Sequence, residues 1–139
     1  MTEEEFRINH SKIIEYYQLI EMRLKGICAK LVEDDEKSWY SLLIDYELDP
    51  LGRLLQQIKK IQTIRNVTLL SEEDLDALDE IREARNFWVH RCFGGDNPVV
   101  FNRDGQVKNM NYSKRILDDL FVAIQWDDKL TEVFRSITH

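Results

Sequence analysis

The residues best suited to chemistry in this chain are an arginine, an asparagine and a histidine within one short segment. Arg85 and Asn86 are adjacent, and His90 follows them in Arg85-Asn86-Phe87-Trp88-Val89-His90. Arginine binds phosphate through a planar fork of donors, and histidine transfers protons near neutral pH. Together these side chains predict phosphodiester chemistry that requires no metal ion.

Two further arginines, Arg82 and Arg91, flank this group, and we expect them to add positive charge for a bound substrate. Glu80 and Glu83 dilute that charge. The formal net charge of the chain is −7, which argues against tight non-specific binding to nucleic acid, since such binding needs many lysine or arginine contacts to phosphates. Any RNA binding is therefore expected to depend on this local basic site. An acidic surface elsewhere suits either a basic partner protein or solubility alone.

The elements that must position these residues are helices, because apolar residues recur mostly at helical spacing and only five glycines and two prolines interrupt 139 residues. The first helix has a four-three alternation of apolar residues from Phe6 to Leu31, which is typical of a helix packed along its length. Asp49-Pro50 and Ser71 have the character of helix starts. The predicted helices run approximately over Glu3–Val32, Glu36–Glu47, Asp49–Asn66, Ser71–Gly94 and Tyr112–Ile137.

The stretch before the last helix differs. Val99-Val100-Phe101 and Gln106-Val107 flank Asn102-Arg103-Asp104-Gly105, a pattern that predicts a hairpin turn. The expected fold class is therefore all-α: an up-down bundle of about five helices with a small β-hairpin inserted before the last helix. At 139 residues and 16.6 kDa, we expect one domain over residues 1–139.

The fourth predicted helix places the candidate residues in unusual surroundings. Arg85 falls on the apolar face, between Ile81 and Trp88, where a guanidinium costs free energy unless it is paired or faces a wet cleft. Asn86 and His90 lie side by side in a neighbouring row. On an ideal helix Arg85 and His90 are about 140° apart. They converge on one ligand only if the arginine side chain wraps round or if two copies of the helix meet.

A structural role is the alternative for the same residues. Arg85 would then be half-buried and paired with an acid such as Glu15, Glu21 or Asp79. His90 would be stabilised by the helix dipole near the end of the helix.

The remaining reactive residues predict no second site. His10 lies on the apolar stripe of the first helix and is expected to be a hydrogen-bonded edge histidine. Cys28 and Cys92 lie on apolar stripes, and two inert free thiols in a reducing compartment are favoured over a disulfide. No metal-ligand spacing occurs, so neither a metal site nor a cofactor is expected. We expect a cytoplasmic protein, because the sequence has no signal-peptide stretch and no membrane-length apolar run.

An all-α chain of this length, with Arg-Asn-x-x-x-His near the end of a late helix, resembles the HEPN superfamily, whose ribonucleases carry an arginine followed by a histidine after four to six intervening positions. The resemblance covers the architecture of the whole chain and residues 85–90 in motif. It implies a homodimer in which two copies of the motif form one composite cleft. The family includes toxins of toxin–antitoxin systems, abortive-infection proteins and CRISPR-associated ribonucleases, and many of its toxins work beside a nucleotidyltransferase.

By this resemblance the protein would be a metal-independent endoribonuclease that leaves a 2′,3′-cyclic phosphate. Arg85 would bind the scissile phosphate, and His90 would help to activate the 2′-hydroxyl or protonate the leaving oxygen. Asn86 would orient one of these groups. The implied partners are RNA, a second copy of the chain, and an antitoxin or nucleotidyltransferase.

Two points qualify what the resemblance implies. Toxins paired with a nucleotidyltransferase often carry a modified tyrosine two residues after the histidine, whereas Cys92 stands here. Regulation through that tyrosine is therefore not expected. Some family members only bind, so the alternative function is a non-catalytic helical binding or adaptor module.

Overall fold

The computed structural model of the protein describes residues 1–33 and 51–138, and in these ranges the regular structure is helical. The third helix passes directly into a π-helical turn, Phe87–Arg91. The all-α class is thus confirmed, but the described part does not show a five-helix bundle. The predicted helix Glu36–Glu47 and the predicted start at Asp49-Pro50 lie outside the described residues. The described ranges contain four α-helices: α1 (Glu3–Leu31), α2 (Leu51–Arg65), α3 (Glu72–Asn86) and α4 (Met110–Ser136).

Helix α1 is the central element, because α4 packs along it and both α2 and the π turn contact it. Its start is capped by Thr2, whose Oγ1 accepts a hydrogen bond from the Glu5 backbone N–H at 3.0 Å. The predicted apolar stripe is confirmed. Its members that are almost completely buried are Phe6, Ile13, Tyr17, Ile20, Leu24 and Ile27.

A buried glutamine holds the connection between α2 and α3. Gln62 Oε1 accepts hydrogen bonds from the backbone N–H groups of Leu69 and Leu70, at 3.0 and 2.8 Å. Its Nε2 donates to the Leu70 carbonyl at 3.0 Å. All polar groups of the buried amide are therefore used to fix the entry into α3.

Helix α3 begins with a capping box. Ser71 Oγ accepts from the Asp74 backbone N–H at 3.1 Å, and Asp74 Oδ2 accepts from the Ser71 backbone N–H at 3.0 Å. Lys129 Nζ of α4 lies 2.6 Å from Asp74 Oδ1. Burial alone would raise the pKa of Asp74, but the hydrogen bonds from Lys129 and Ser71 outweigh it and hold that pKa below its ordinary value of 3.8.

Replacement of this carboxylate is expected to change how stability depends on pH. We predict that Asp74→Asn lowers the free energy of unfolding at neutral pH by roughly 0.5–1 kcal/mol, the size of one cap and one exposed ion pair. A lowered pKa stabilises the fold fully above the unfolded value, and this is lost as pH falls through the folded pKa. In urea titrations the difference between variant and wild type should be complete at pH 7 and should shrink as pH falls below the ordinary aspartate value of 3.8. A difference that stays the same from pH 7 down to about pH 2 would contradict this.

The prediction of a β-hairpin before the last helix is wrong, because residues 96–109 contain no strand. The turn itself is present: Gly105 adopts a φ of +72°, and Asn102 Oδ1 accepts from the backbone N–H of Gln106 at 3.0 Å. Only isolated bridges follow, one of them between Phe101 and Val107. The two arms are joined by backbone hydrogen bonds from Asn102 to the Gln106 carbonyl at 2.8 Å and from Lys108 to the Val100 carbonyl at 2.9 Å, and the Val107 N–H donates to the carbonyl of Met1 at 2.9 Å.

Two large apolar residues of α4 are exposed. Leu117 is 47 % exposed and Phe121 is 63 % exposed. With Met110 they fall within about 40° of one another on a helical wheel. This face stays open because α4 packs mainly on α1, through its other side. Among the helices of residues 1–33 and 51–138, none has the length and apolar character that crossing a membrane requires.

Candidate functional site

The candidate residues lie where α3 changes from α-helical to π-helical geometry. The Cys92 backbone N–H donates to the Phe87 carbonyl at 2.8 Å, a bond from residue i+5 to residue i. Single π turns are rare and often occur at functional sites. Such a turn rotates less per residue than an α-helix, so Arg85 and His90 are separated by less than the ~140° of an ideal α-helix.

Trp88 fixes this turn to the core. Its side chain is completely buried, and Nε1 donates to Asp119 Oδ2 of α4 at 2.7 Å. Its carbonyl oxygen lies 2.7 Å from His10 Nε2 of α1. Because a carbonyl oxygen can only accept, His10 carries its proton on Nε2 in this arrangement. The prediction that His10 is a hydrogen-bonded edge histidine is therefore confirmed.

An arginine of α4 covers the other side of the turn. The Arg115 guanidinium carbon lies 3.8 Å from the centroid of the Phe87 ring, within the range of a cation–π contact. Arg115 Nε lies 3.6 Å from Asp119 Oδ2, the oxygen that also accepts from Trp88. Phe87 is thereby held between the end of α3 and α4 within one chain.

Cys92 follows the turn as a buried thiol, and Cys28 is also buried; the two cysteines form no disulfide with each other. Cys92 Sγ lies 3.2 Å from the Trp88 carbonyl and 3.5 Å from His10 Nε2. Burial raises the pKa of the Cys92 thiol, so it remains protonated and is a poor nucleophile.

Arg85 has one acidic partner in the described part of the chain. Its Nη2 lies 3.8 Å from Glu21 Oε2, and the two side chains are 29 % and 18 % exposed. Glu21 also contacts Lys25, whose Nζ lies 3.4 Å from Oε1. Glu21 is one of the three acids considered from the sequence, so the pairing alternative is realised. At 3.8 Å the contact is long, and it leaves the guanidinium partly open to solvent.

The other candidate residues, His90, Asn86 and Arg91, are accessible to solvent to different degrees. His90 and Arg91 are exposed, and Asn86 is half-buried. Within residues 1–33 and 51–138, no hydrogen bond or ion pair engages the His90 imidazole. The His90 imidazole thus has no bonded partner among the described residues. The guanidinium of Arg85, five positions earlier in the chain, is partly open to solvent.

Arg82 is directed elsewhere. Its Nε lies 2.7 Å from Asp79 Oδ1, and its Nη2 lies 4.0 Å from Glu83 Oε1. Its side chain passes so close to Gly52 of α2 that a Cβ on the glycine would lie 2.9 Å from Arg82 Cδ. Arg82 therefore belongs to the contact between α2 and α3, and the structure does not place it with His90.

The residues that hold the segment in place could not be assigned to it from the sequence. His10 carried a weak signal, since its position on the α1 stripe shows that it faces a neighbour. Asp119 and Arg115 gave no signal in the sequence. They are oppositely charged residues four positions apart on α4, which is an ordinary pattern on the surface of a helix. Their contact with Trp88 and Phe87 appears only in the tertiary structure.

No group of three or more His, Cys, Asp or Glu side chains in the described ranges is close enough to hold a metal ion. Comparisons of the chain with protein-family models, with curated proteins and with solved structures give no match. The functional argument therefore depends on the local geometry of Arg85, Asn86, His90 and Arg91.

Proposed function

We propose that the protein is a metal-independent endoribonuclease of the HEPN type that acts as a homodimer in the cytoplasm. The observation that carries the proposal is the accessible imidazole of His90, which no described residue engages, on a π turn that directly follows Arg85 and Asn86. A histidine kept only for stability would be expected to have a partner. The arginine–histidine combination matches the needs of phosphodiester cleavage, in which a proton moves and negative charge develops on a phosphate.

In this mechanism the RNA itself supplies the nucleophile. The 2′-oxygen attacks the adjacent phosphorus, the bond from phosphorus to the 5′-oxygen breaks, and the products are a 2′,3′-cyclic phosphate and a 5′-hydroxyl. His90 takes the proton from the 2′-hydroxyl or delivers one to the leaving oxygen. Arg85 binds the phosphate and stabilises its developing charge. Asn86 orients the imidazole or the phosphate.

Among the two flanking arginines, Arg91 suits a role in substrate binding better than Arg82. Arg91 is exposed and directly follows His90, whereas Arg82 is engaged with Asp79. A phosphate next to the scissile one would be the natural partner of Arg91, because a guanidinium pairs with phosphate through two parallel hydrogen bonds.

A second copy of the chain completes the site in this proposal. Val89 is exposed between the buried Trp88 and the exposed His90, an apolar surface beside the candidate residues. A two-fold interface there would cover Val89 and bring the Arg85 of one subunit towards the His90 of the other. A role in defence or stress response, as a toxin or abortive-infection protein with an antitoxin or nucleotidyltransferase, belongs to the same proposal.

The experiment that tests the activity is cleavage of a single-stranded RNA by the purified wild-type protein in EDTA. The expected products end in a 2′,3′-cyclic phosphate. The matched control is the same oligonucleotide with 2′-deoxyribose throughout, which has no attacking hydroxyl and should remain intact. Equal cleavage of both substrates, or no cleavage of either, would reject the proposal.

Neutralising the partner of Arg85 is expected to raise activity. Glu21 competes with phosphate for the guanidinium, and a partly exposed ion pair is worth 1 kcal/mol or less. We therefore predict that Glu21→Gln increases kcat/KM for RNA cleavage by up to about fivefold. Glu132→Gln is the matched control, since Glu132 pairs with Arg135 on the exposed side of α4 at 2.7 Å. An unchanged or lower rate in Glu21→Gln alone would contradict competition.

The contact between Glu21 and Arg85 also favours the second candidate function, a non-catalytic helical binding or adaptor module. In that case the ion pair links α1 to α3, and Arg85 stabilises the fold instead of binding a phosphate. The module would bind its partner without cleaving RNA, and Glu21→Gln would change only stability.

A further inference from the structure

An exposed aromatic ring lies one turn beyond His90. Phe93 is 44 % exposed, although it belongs to a cluster of aromatic side chains. The guanidinium carbon of Arg7, in the first turns of α1, lies 5.6 Å from the centroid of the Phe93 ring. The same carbon lies 5.3 Å from the Phe101 ring. One cation thus contacts two aromatic rings at the surface.

Phe93 lies close to His90 along the chain. The Gly95 backbone N–H donates to the Arg91 carbonyl at 2.9 Å, so the chain makes one more helical turn past the π segment. His90 and Phe93 are three residues apart at this end of the helix, and both side chains are exposed. A nucleotide next to a phosphate at His90 is therefore within reach of the Phe93 ring.

The Phe93 ring has a firm support. Its centroid lies 6.2 Å from that of Phe6 in an edge contact and 5.5 Å from that of His10. Phe6 is completely buried, and His10 is fixed by its bond to the Trp88 carbonyl. A ring held in this way can receive a flat ligand with little loss of conformational entropy.

We propose that Phe93, with Arg7 beside it, is a base-stacking subsite for single-stranded RNA, an inference that rests on the proposed function. An unstacked base would lie on the exposed part of the Phe93 ring, and its neighbouring phosphate would contact Arg7. Aromatic stacking next to a cation is the usual way in which proteins bind single strands, and it tolerates any base. A duplex cannot use this subsite because its bases are already stacked on one another.

The local charges agree with a small number of phosphate contacts. Among the described residues, Arg7 forms an ion pair with Glu3, at 3.6 Å and with both side chains well exposed, so a phosphate can displace the carboxylate. Arg91 supplies a second exposed cation near the ring. Because the chain as a whole is acidic, stacking and not charge should provide most of the affinity for a single strand.

The test measures binding separately from cleavage. The probe is a fluorescein-labelled 2′-O-methyl RNA of mixed sequence, which lacks the attacking hydroxyl, titrated with wild-type protein and variants. Phe93→Leu should weaken binding roughly five- to hundredfold, and Phe93→Trp should restore it to within about twofold. The matched control is Phe121→Leu, because Phe121 is an exposed phenylalanine on the outer face of α4. Thermal melting of each variant verifies that it is folded.

The single-strand preference has its own control. The same 2′-O-methyl strand paired with its complement should bind wild type and Phe93→Leu with equal, low affinity. The inference is overturned if Phe93→Leu and Phe121→Leu bind the single strand as the wild type does, or if the folded wild type does not bind it.

The two proposals fail in different ways. Binding that depends on Phe93 without cleavage of unmodified RNA would reject the nuclease and keep the subsite. Cleavage of unmodified RNA with binding that is indifferent to Phe93 would reject the subsite and keep the nuclease.

Discussion

His90→Ala is expected to lower the rate of RNA cleavage by roughly 10²–10⁴-fold, the usual contribution of one acid–base group. The imidazole is exposed and makes no bond that supports the described fold, so its loss should leave the protein intact. The measurement is single-turnover cleavage of RNA in EDTA, which reports the chemical step without product release.

The controls for this substitution separate chemistry from packing and charge. Leu117→Ala removes an exposed apolar group from the outer face of α4, away from the candidate residues, and should leave the chemical step unchanged. Arg135→Ala removes an exposed arginine that pairs within α4, and it should have no effect, whereas Arg85→Ala should reduce the rate. Equal rates for wild type and His90→Ala would show that His90 takes no part in the reaction.

Trp88→Ala should have the largest effect on stability. The side chain is completely buried, and truncation of such a residue typically costs about 3–5 kcal/mol. The substitution also removes the indole N–H from Asp119 Oδ2. Since whole domains are stable by only about 5–15 kcal/mol, the variant should be close to unfolding. Urea titration followed by circular dichroism measures the loss.

Two other tryptophan substitutions show what causes the loss of stability in Trp88→Ala. Trp88→Phe keeps most of the buried ring but removes the donor, and should cost less, about 1–3 kcal/mol. Trp126→Ala is the matched truncation at a half-buried position that Lys129 covers. It should cost clearly less than Trp88→Ala. Similar losses in Trp88→Ala and Trp126→Ala would mean that Trp88 does not fix the π turn to the core.

Much of the helical architecture could be predicted because its causes are local. The stripe on α1 and the Ser71 cap of α3 follow from spacing and capping chemistry, and both are observed. The absence of regular strands from residues 96–109 was not predictable in this way, because Val107 bonds to Met1, which is distant in sequence. The exposure of Phe121 is hard to predict for a related reason: an apolar pattern does not reveal which of its faces has a neighbour.

The candidate site divides along the same line. The types and spacing of Arg85, Asn86 and His90 were enough to select the segment as a candidate site. Helical geometry also showed that Arg85 and His90 point in different directions on an ideal α-helix and need a reason to converge. The sequence did not predict the π turn, and the residues that bond to Trp88 within it are distant in sequence. The Trp88 carbonyl is satisfied by His10, and its indole by Asp119.

The central claim is that two subunits build one site from the guanidinium of one copy and the imidazole of the other. The most direct measurement mixes Arg85→Ala and His90→Ala proteins, each inactive alone, under conditions of subunit exchange verified by native mass spectrometry. Half of the dimers would then be mixed, each with one of its two arginine–histidine sets complete. Cleavage should return to about a quarter of the wild-type level. Mixed dimers that cleave RNA no faster than either variant alone would contradict the claim.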